Sequence, residues 1–89
     1  MVATLIPVYA DTRHIEPKSA HFSLEELQGY VGGYIELIRL NKVLLVVDEE
    51  GKLKGKPVNM RATALYRRYV KTSDYIVGDA LLVPAELIQ

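Results

Sequence analysis

The sequence contains no cysteine and no tryptophan, and it has one phenylalanine and two histidines. Without cysteine the chain has no disulfide, no thiolate nucleophile, no iron–sulfur cluster and no cysteine-ligated zinc site. It also lacks an excess of either charge, because 11 Lys and Arg residues balance 11 Asp and Glu residues. This balance excludes the strongly basic composition of a protein that binds nucleic-acid backbones and the strongly acidic composition of a DNA mimic.

Long hydrophobic runs are also missing. No apolar stretch approaches the length of a membrane-spanning helix, and residues 1–9 lack the basic start and cleavage site of a signal peptide. We therefore expect a cytoplasmic protein with no membrane partner. With 89 residues, of which 49% are hydrophobic and 25% charged, the chain is expected to form one globular domain over residues 1–89.

The clearest local signal is the start of a helix after Phe22. Ser23 can cap the free amides of the first turn, and Glu26, three residues later, completes a capping box. Gly32 and Gly33 supply a residue that can adopt the left-handed conformation that ends many helices. The pattern predicts a helix from Ser23 to about Val31.

Apolar and β-branched runs predict the strands of a sheet. The runs lie at residues 2–9, 13–16, 34–40, 43–47 and 75–83. Asn41 and Lys42 suit a tight hairpin between the third and fourth runs, because Asn tolerates positive φ. Residues 44–47 are apolar at every position, as expected where both faces of a sheet are covered.

A second helix is predicted to begin after Asn59, which can cap it. Ala62, Leu65, Tyr66 and Tyr69 recur at the spacing of a buried helical stripe. The order of elements is β(β)αββαβ. It favours an α+β fold in which a small mixed or antiparallel sheet carries two helices, and we expect both on one face.

Residues suited to catalysis are sparse. His14 and His21, with Asp11 and Glu16, form the only group that could hold a metal or exchange protons, but it matches no ligand motif. The segment 51–57 resembles a phosphate-binding loop but has three residues instead of four between its glycines and a proline where Ser or Thr must bind magnesium. We therefore predict no enzyme activity, no catalytic residues, no metal site and no cofactor.

A local concentration of basic residues is the strongest binding candidate. If the loop after residue 51 folds over the second helix, its cations and the helix N-terminus could receive a phosphate or carboxylate. The alternative is a solvated helix face. Six tyrosines indicate an interaction surface, since tyrosine combines apolar area with a hydroxyl. The candidate ligand-binding or partner-binding residues are Lys54, Lys56, Asn59, Arg61, Tyr66 and Arg68.

Three segments occur together in a specific order: residues 31–36 (VGGYIE), 48–59 (DEEGKLKGKPVN) and 76–83 (IVGDALLV). In these segments the chain resembles a small family, domain of unknown function 3846, which is encoded by bacteriophages, plasmids and other mobile elements. The resemblance runs from about Phe22 to Val83. It implies a mobile-element origin and a bacterial cytoplasm, and it carries no activity that can be assigned to a residue.

Two hypotheses of function follow. In the first, the chain is a non-enzymatic phage or mobile-element accessory protein that counters host defence by binding a host protein, such as a defence or CRISPR effector. In the second, it is a sponge that sequesters a nucleotide immune signal, cyclic or ADP-ribose-like, at a homodimer interface. We expect a homo-oligomer, and we do not expect a nucleic-acid partner because the net charge is zero.

Overall fold

The computed structural model describes residues 1–88, which contain five strands, two α-helices and one short 3-10 helix. The strands are β1 (Ala3–Ile6), β2 (Arg13–Ile15), β3 (Ile35–Leu40), β4 (Val43–Asp48) and β5 (Ala80–Pro84). The α-helices are α1 (Leu24–Val31) and α2 (Met60–Tyr69), and the 3-10 helix (Ala85–Leu87) follows β5.

The five strands form one sheet in the order β2-β1-β5-β4-β3, and every neighbouring pair is antiparallel. The predicted α+β class and the order β(β)αββαβ are therefore confirmed. Of the two sheet types that the sequence left open, the antiparallel one is present. β2 and β3 are the edge strands, and β5 lies at the centre between two hairpins.

Helix α1 has the predicted boundaries because its ends are set by local chemistry. Ser23 Oγ accepts the Glu26 N–H at 3.1 Å, and Glu26 Oε1 accepts the Ser23 N–H at 2.9 Å, which completes the capping box. At the other end Gly32 has φ +81° and donates its N–H to Gln28 O at 2.8 Å. Residues that interact within one turn thus fix both ends of the helix.

The hairpin between β3 and β4 also forms as predicted. Asn41 has φ +62°, the left-handed conformation that a two-residue hairpin turn requires. Leu40 and Val43 are paired across the turn, and the register continues without a break to Ile35 and Asp48. The turn therefore sets which face of the sheet each side chain of β3 and β4 occupies.

The helices pack on opposite faces of the sheet, so the expectation that both lie on one face is wrong. Leu27 of α1 packs in one hydrophobic cluster with Val46 of β4, whereas Ala62 of α2 packs in another with Leu45 of the same strand. The physical reason is the continuous apolar run 44–47, in which alternate residues point to alternate faces and each face requires a cover.

Two details of α2 and β5 differ from the sequence-based predictions. Tyr69 is 53% exposed, and the buried stripe of α2 uses Thr63, whose hydroxyl accepts the Ile76 N–H at 2.9 Å. The last strand begins at Ala80 instead of Tyr75, because the preceding segment turns towards α2, where Ile76 O accepts the Asn59 N–H at 2.8 Å and Val77 forms an isolated β-bridge with Val58.

Gly29, within α1, and Gly32, which ends it, provide a matched test of the C-terminal end of the helix. Gly32→Ala is expected to lower the free energy of unfolding by about 1–2 kcal/mol, because a side chain at φ +81° meets its own backbone. Gly29→Ala is expected to raise it by about 0.5–1 kcal/mol, because a Cβ at this helical position enters open space. Urea unfolding of both variants measures the difference, and equal effects would contradict the left-handed helix end.

Candidate functional site

The three segments that carry the family resemblance meet at one end of the sheet, around the carboxylate of Asp48. Asp48 is the last residue of β4 and is only 5% exposed. Its Oδ2 forms ion pairs with Lys54 Nζ at 2.8 Å and Lys56 Nζ at 2.6 Å. Two lysines from the loop after β4 therefore neutralise one buried carboxylate.

The same two ammonium groups hold the C-terminal end of α1. Lys54 Nζ donates to Gly32 O at 3.2 Å, and Lys56 Nζ donates to Val31 O at 2.7 Å. Cations stabilise a helix at this end, where carbonyl groups lack partners and the helix dipole is negative. We call Asp48, Lys54, Lys56 and these two carbonyl groups the Asp48 clamp, since together they join β4, the loop 49–57 and α1.

The clamp changes the acidity of Asp48. Burial acts to raise its pKa, but hydrogen bonds from Lys54 and Lys56 and from the Glu50 N–H outweigh burial and lower the pKa from 3.8 to about 2. The carboxylate is consequently ionised under all ordinary conditions. An ionised carboxylate with two ammonium partners is suited to holding structure together and poorly suited to exchanging protons near neutral pH.

Glycines make room for the clamp. A Cβ at Gly33 would lie 2.9 Å from both carboxylate oxygens of Asp48, and a Cβ at Gly78 would lie 2.8 Å from Lys56 Cδ. Gly78 also has φ +76° and donates its N–H to Pro57 O at 2.8 Å. The glycines of the first and third segments are thus placed where the second segment packs against them.

Asn59, predicted as a binding residue, has its side chain committed inside the protein. It is 1% exposed, and its Nδ2 donates to Ile6 O at 2.8 Å and to Gly78 O at 2.9 Å. Its Oδ1 accepts the Ala62 N–H at 3.0 Å and so caps α2, as the sequence indicated. Asn59 therefore joins the start of α2 to β1 and to the third segment.

The predicted arginines lie on the surface of α2. Arg61 donates from Nη2 to the carbonyl groups of Pro7 and Ala10 and so fastens the loop between β1 and β2. Arg68 is exposed to solvent. Arg61 is therefore a structural hydrogen-bond donor, whereas Arg68 is a solvated cation.

The other predicted residues do not share a cavity. Lys54 borders a depression next to Tyr34, Lys56 borders one next to Tyr9, and Tyr66 borders a third. Because Lys54 and Lys56 are paired with Asp48, an incoming phosphate would have to compete with a buried carboxylate for them. The structure therefore does not gather the six predicted residues around one anion.

The third depression is a cleft of about 240 Å³ between β3 and the segment that precedes β5, on the face of the sheet that α2 covers. We call it the β3 cleft. Apolar side chains of β3, of β4 and of the segment 76–77 line it together with charged groups. Its lining residues are Glu36, Ile38, Val47, Asp48, Glu49, Lys52, Leu53, Tyr66, Asp74, Tyr75, Ile76 and Val77.

Large apolar and aromatic side chains form the rim of the β3 cleft. Leu53 is 88% exposed and Tyr75 is 42% exposed, while Tyr66 is half-buried. Lys52 pairs with Asp74, and its Nζ lies 4.3 Å from the centre of the Tyr75 ring. The hydrogen bond from Lys52 lowers the pKa of Asp74.

Sequence reasoning selected Tyr66 but not Leu53 or Tyr75. A signal was present at Leu53, since a leucine between two lysines in a turn has no place in a core. Tyr75 carries only the general signal of the tyrosines that indicate an interaction surface, because the sequence predicts it as the first residue of a strand. Its position depends on the turn of residues 72–75, where Arg67 donates to the carbonyl groups of Ser73 and Asp74.

Residues 1–88 contain no group of three or more His, Cys, Asp or Glu side chains that could hold a metal ion. His14 lies on β2 opposite Thr4, and His21 is exposed before α1. Within the same residues, no helix has the length and hydrophobicity that crossing a bilayer requires.

Comparison with known proteins gives one match. The model of a family described as domain of unknown function (DUF3846) matches residues 4–86. The match includes most of β1 and all of β2, which lie outside the three segments that carry the resemblance. No curated protein and no solved structure matches the chain.

The Asp48 clamp predicts a dependence of stability on pH. Because the folded-state pKa of Asp48 is about 2 and its ordinary value is 3.8, the clamp stabilises fully above about pH 4 and is lost as the pH falls towards 2. Asp48→Asn is expected to lower the free energy of unfolding at pH 7 by about 2 kcal/mol. Urea unfolding between pH 2 and 7 should show the difference from the wild type shrinking below pH 4.

The matched control is Glu49→Gln, which removes the adjacent, exposed carboxylate. It is expected to change the free energy of unfolding by less than about 0.5 kcal/mol. A constant difference between Asp48→Asn and the wild type from pH 2 to pH 7 would contradict the ionised clamp.

Proposed function

The chain belongs to the family described as domain of unknown function (DUF3846), and on this premise we propose that it is a non-enzymatic accessory protein that binds a protein partner. The resemblance to proteins of phages and other mobile elements supports the rest of the proposal. The partner is a host defence protein, such as a CRISPR effector, and the site of action is the bacterial cytoplasm.

The observation that carries this proposal is the exposed rim of the β3 cleft. Leu53 and Tyr75 both border this concave surface and present apolar area to solvent. Buried tyrosines supply much of the affinity of many protein interfaces, and an exposed leucine beside them adds apolar area that a partner can bury. A partner would bury side chains that contribute little to the isolated domain.

The loop that presents Leu53 is already ordered. Lys52, on one side of Leu53, pairs with Asp74, and Lys54, on the other side, pairs with Asp48. Turn hydrogen bonds from the N–H groups of Lys54 and Gly55 add to this order. Binding through a preordered loop loses less conformational entropy than binding through a flexible one, so more of the contact energy appears as affinity.

A protein partner also fits the electrostatics better than a nucleotide does. The β3 cleft is bordered by Glu36, Glu49 and the Lys52–Asp74 pair, which leave a negative balance next to the aromatic rim. Phosphates would be repelled there. The basic residues Lys54 and Lys56 are both held by Asp48, so a phosphate would have to displace this carboxylate to reach them.

A double variant of the rim tests the proposal. Leu53→Ser with Tyr75→Ser is expected to reduce capture of the partner from bacterial lysate by about tenfold or more, since interface anchors of this kind contribute at least about 2 kcal/mol. Quantitative mass spectrometry of proteins retained by immobilised wild type and variant measures the loss.

Leu24→Ser is the control, because Leu24 is 58% exposed on α1, on the opposite face of the sheet. The proposal requires a bacterial protein that the wild type and Leu24→Ser retain and the double variant loses. If every retained protein is captured equally by all three, the proposal is wrong. Tight calorimetric binding of a cyclic or ADP-ribose-like nucleotide, abolished by Arg61→Ala with Arg68→Ala, would instead support the sponge.

A further inference from the structure

Strand β3 is an open edge of the sheet. It spans six residues, Ile35–Leu40, and within residues 1–88 it pairs with β4 alone. It contains no proline, and its register with β4 is unbroken along its whole length. Proteins usually protect long edges with proline, bulges or a covering segment, because an open edge can accept a further strand. The opposite edge, β2, has only three residues.

The register identifies the free backbone groups of β3. Glu49 donates its N–H to Tyr34 O at 2.8 Å, which marks this pair as hydrogen-bonded across the ladder. Hydrogen-bonded and non-hydrogen-bonded pairs alternate along antiparallel strands. The N–H and C=O groups of Ile35, Leu37 and Arg39 therefore point away from β4, towards the outside of the sheet.

The open edge and the β3 cleft are adjacent. Glu36 and Ile38 belong to β3 and also line the cleft, because their side chains lie on the face that α2 covers. A strand added beside β3 would place every second side chain on that face, next to Glu36 and Ile38. At about 240 Å³ the cleft is smaller than the roughly 300–1,000 Å³ of typical small-molecule pockets, and a size below that range suits an inserted side chain.

The charge of the β3 cleft indicates which side chain of an added strand would complement it. Asp74 is paired with Lys52, whereas Glu36 and Glu49 take part in no ion pair within residues 1–88. Opposite charges directly across two strands stabilise their pairing, and like charges destabilise it. The complement to Glu36 and Glu49 is therefore a lysine or arginine.

A second copy of β3 does not supply that complement. If two copies paired antiparallel through their β3 edges, the face that α2 covers in one copy would lie on the same side of the joined sheet as that face in the other copy. Arg39, the only basic residue of β3, lies on the face opposite to Glu36, so the Arg39 of another copy would lie away from the cleft. Charge complementarity thus favours a different protein over self-association at this edge.

We propose that β3 receives an extended segment of the partner as an added strand, with a lysine or arginine of that segment beside Glu36 and Glu49. The inference rests on the proposed function and specifies the chemistry of the recognised segment. Backbone hydrogen bonds to Ile35, Leu37 and Arg39 provide the affinity that does not depend on sequence. The acidic, aromatic cleft provides the preference for a basic residue.

Selection from a displayed library of random octapeptides tests the inference. The wild type is expected to enrich peptides with a lysine or arginine at one fixed position among β-branched residues. Affinity of an enriched peptide, measured by fluorescence anisotropy, should fall about two- to tenfold in the variant Glu36→Gln with Glu49→Gln. Glu25→Gln, an exposed change on α1, should leave it unchanged.

The backbone contacts have a readout of their own. N-methylation of the alternate peptide amides that face β3 should abolish binding, whereas methylation of the other set should not. Hydrogen exchange at the amides of Ile35, Leu37 and Arg39 should slow by about tenfold or more when the peptide is present at saturating concentration. Both measurements use the intact protein.

The inference is wrong if no peptide is enriched, if enriched peptides lack a basic residue, or if both methylated sets bind equally. Such a result is distinct from failure of the proposed function. Lysate capture that depends on Leu53 and Tyr75, together with a negative peptide selection, would retain a protein partner and remove strand addition. Peptide binding at β3, together with lysate capture that does not depend on Leu53 and Tyr75, would retain strand addition and remove the partner proposed to bind at the rim.

Discussion

A single carboxylate, that of Asp48, is the point on which the loop geometry depends. Burying an unpaired carboxylate costs several kcal/mol, and that cost is offset here because Lys54 and Lys56 both reach it. Since their ammonium groups also meet the last carbonyl groups of α1, the loop has one position relative to the helix and the sheet. The shape of the β3 cleft follows, because the loop forms one wall of it.

The parts of the fold that sequence reasoning predicted well are those fixed within a few residues. The capping box of Ser23 and Glu26 and the positive φ of Asn41 are local, so the pattern alone identifies them. The opposite placement of the helices is not local. The apolar run 44–47 indicated two covered faces, but which helix covers which face depends on pairings between strands far apart in the chain.

The candidate site likewise depends on contacts that are not local in the sequence. The sequence predicts Asp48 as the first residue of a polar turn, yet it is buried, because lysines six and eight residues later pair with it and also donate to carbonyl groups at the end of α1. The lysines predicted to bind an anion are thereby occupied by Asp48. Composition reports how many charges a loop has, whereas the site depends on which of them remain unpaired. Among the charged residues that line the β3 cleft, those without an ion pair within residues 1–88 are Glu36 of β3 and Glu49 of the loop 49–57.

The central position of β5 affects how the chain can fold. Thr4 of β1 pairs with Leu82 of β5, and in the sheet that residues 1–88 form, the two hairpins, β1–β2 and β3–β4, are joined through this last strand. Contacts between residues so far apart in sequence close a long loop and slow folding. Without β5 the two hairpins therefore cannot form one sheet. A truncated chain that ends before Ala80 would have two incomplete sheets instead of a smaller version of the domain.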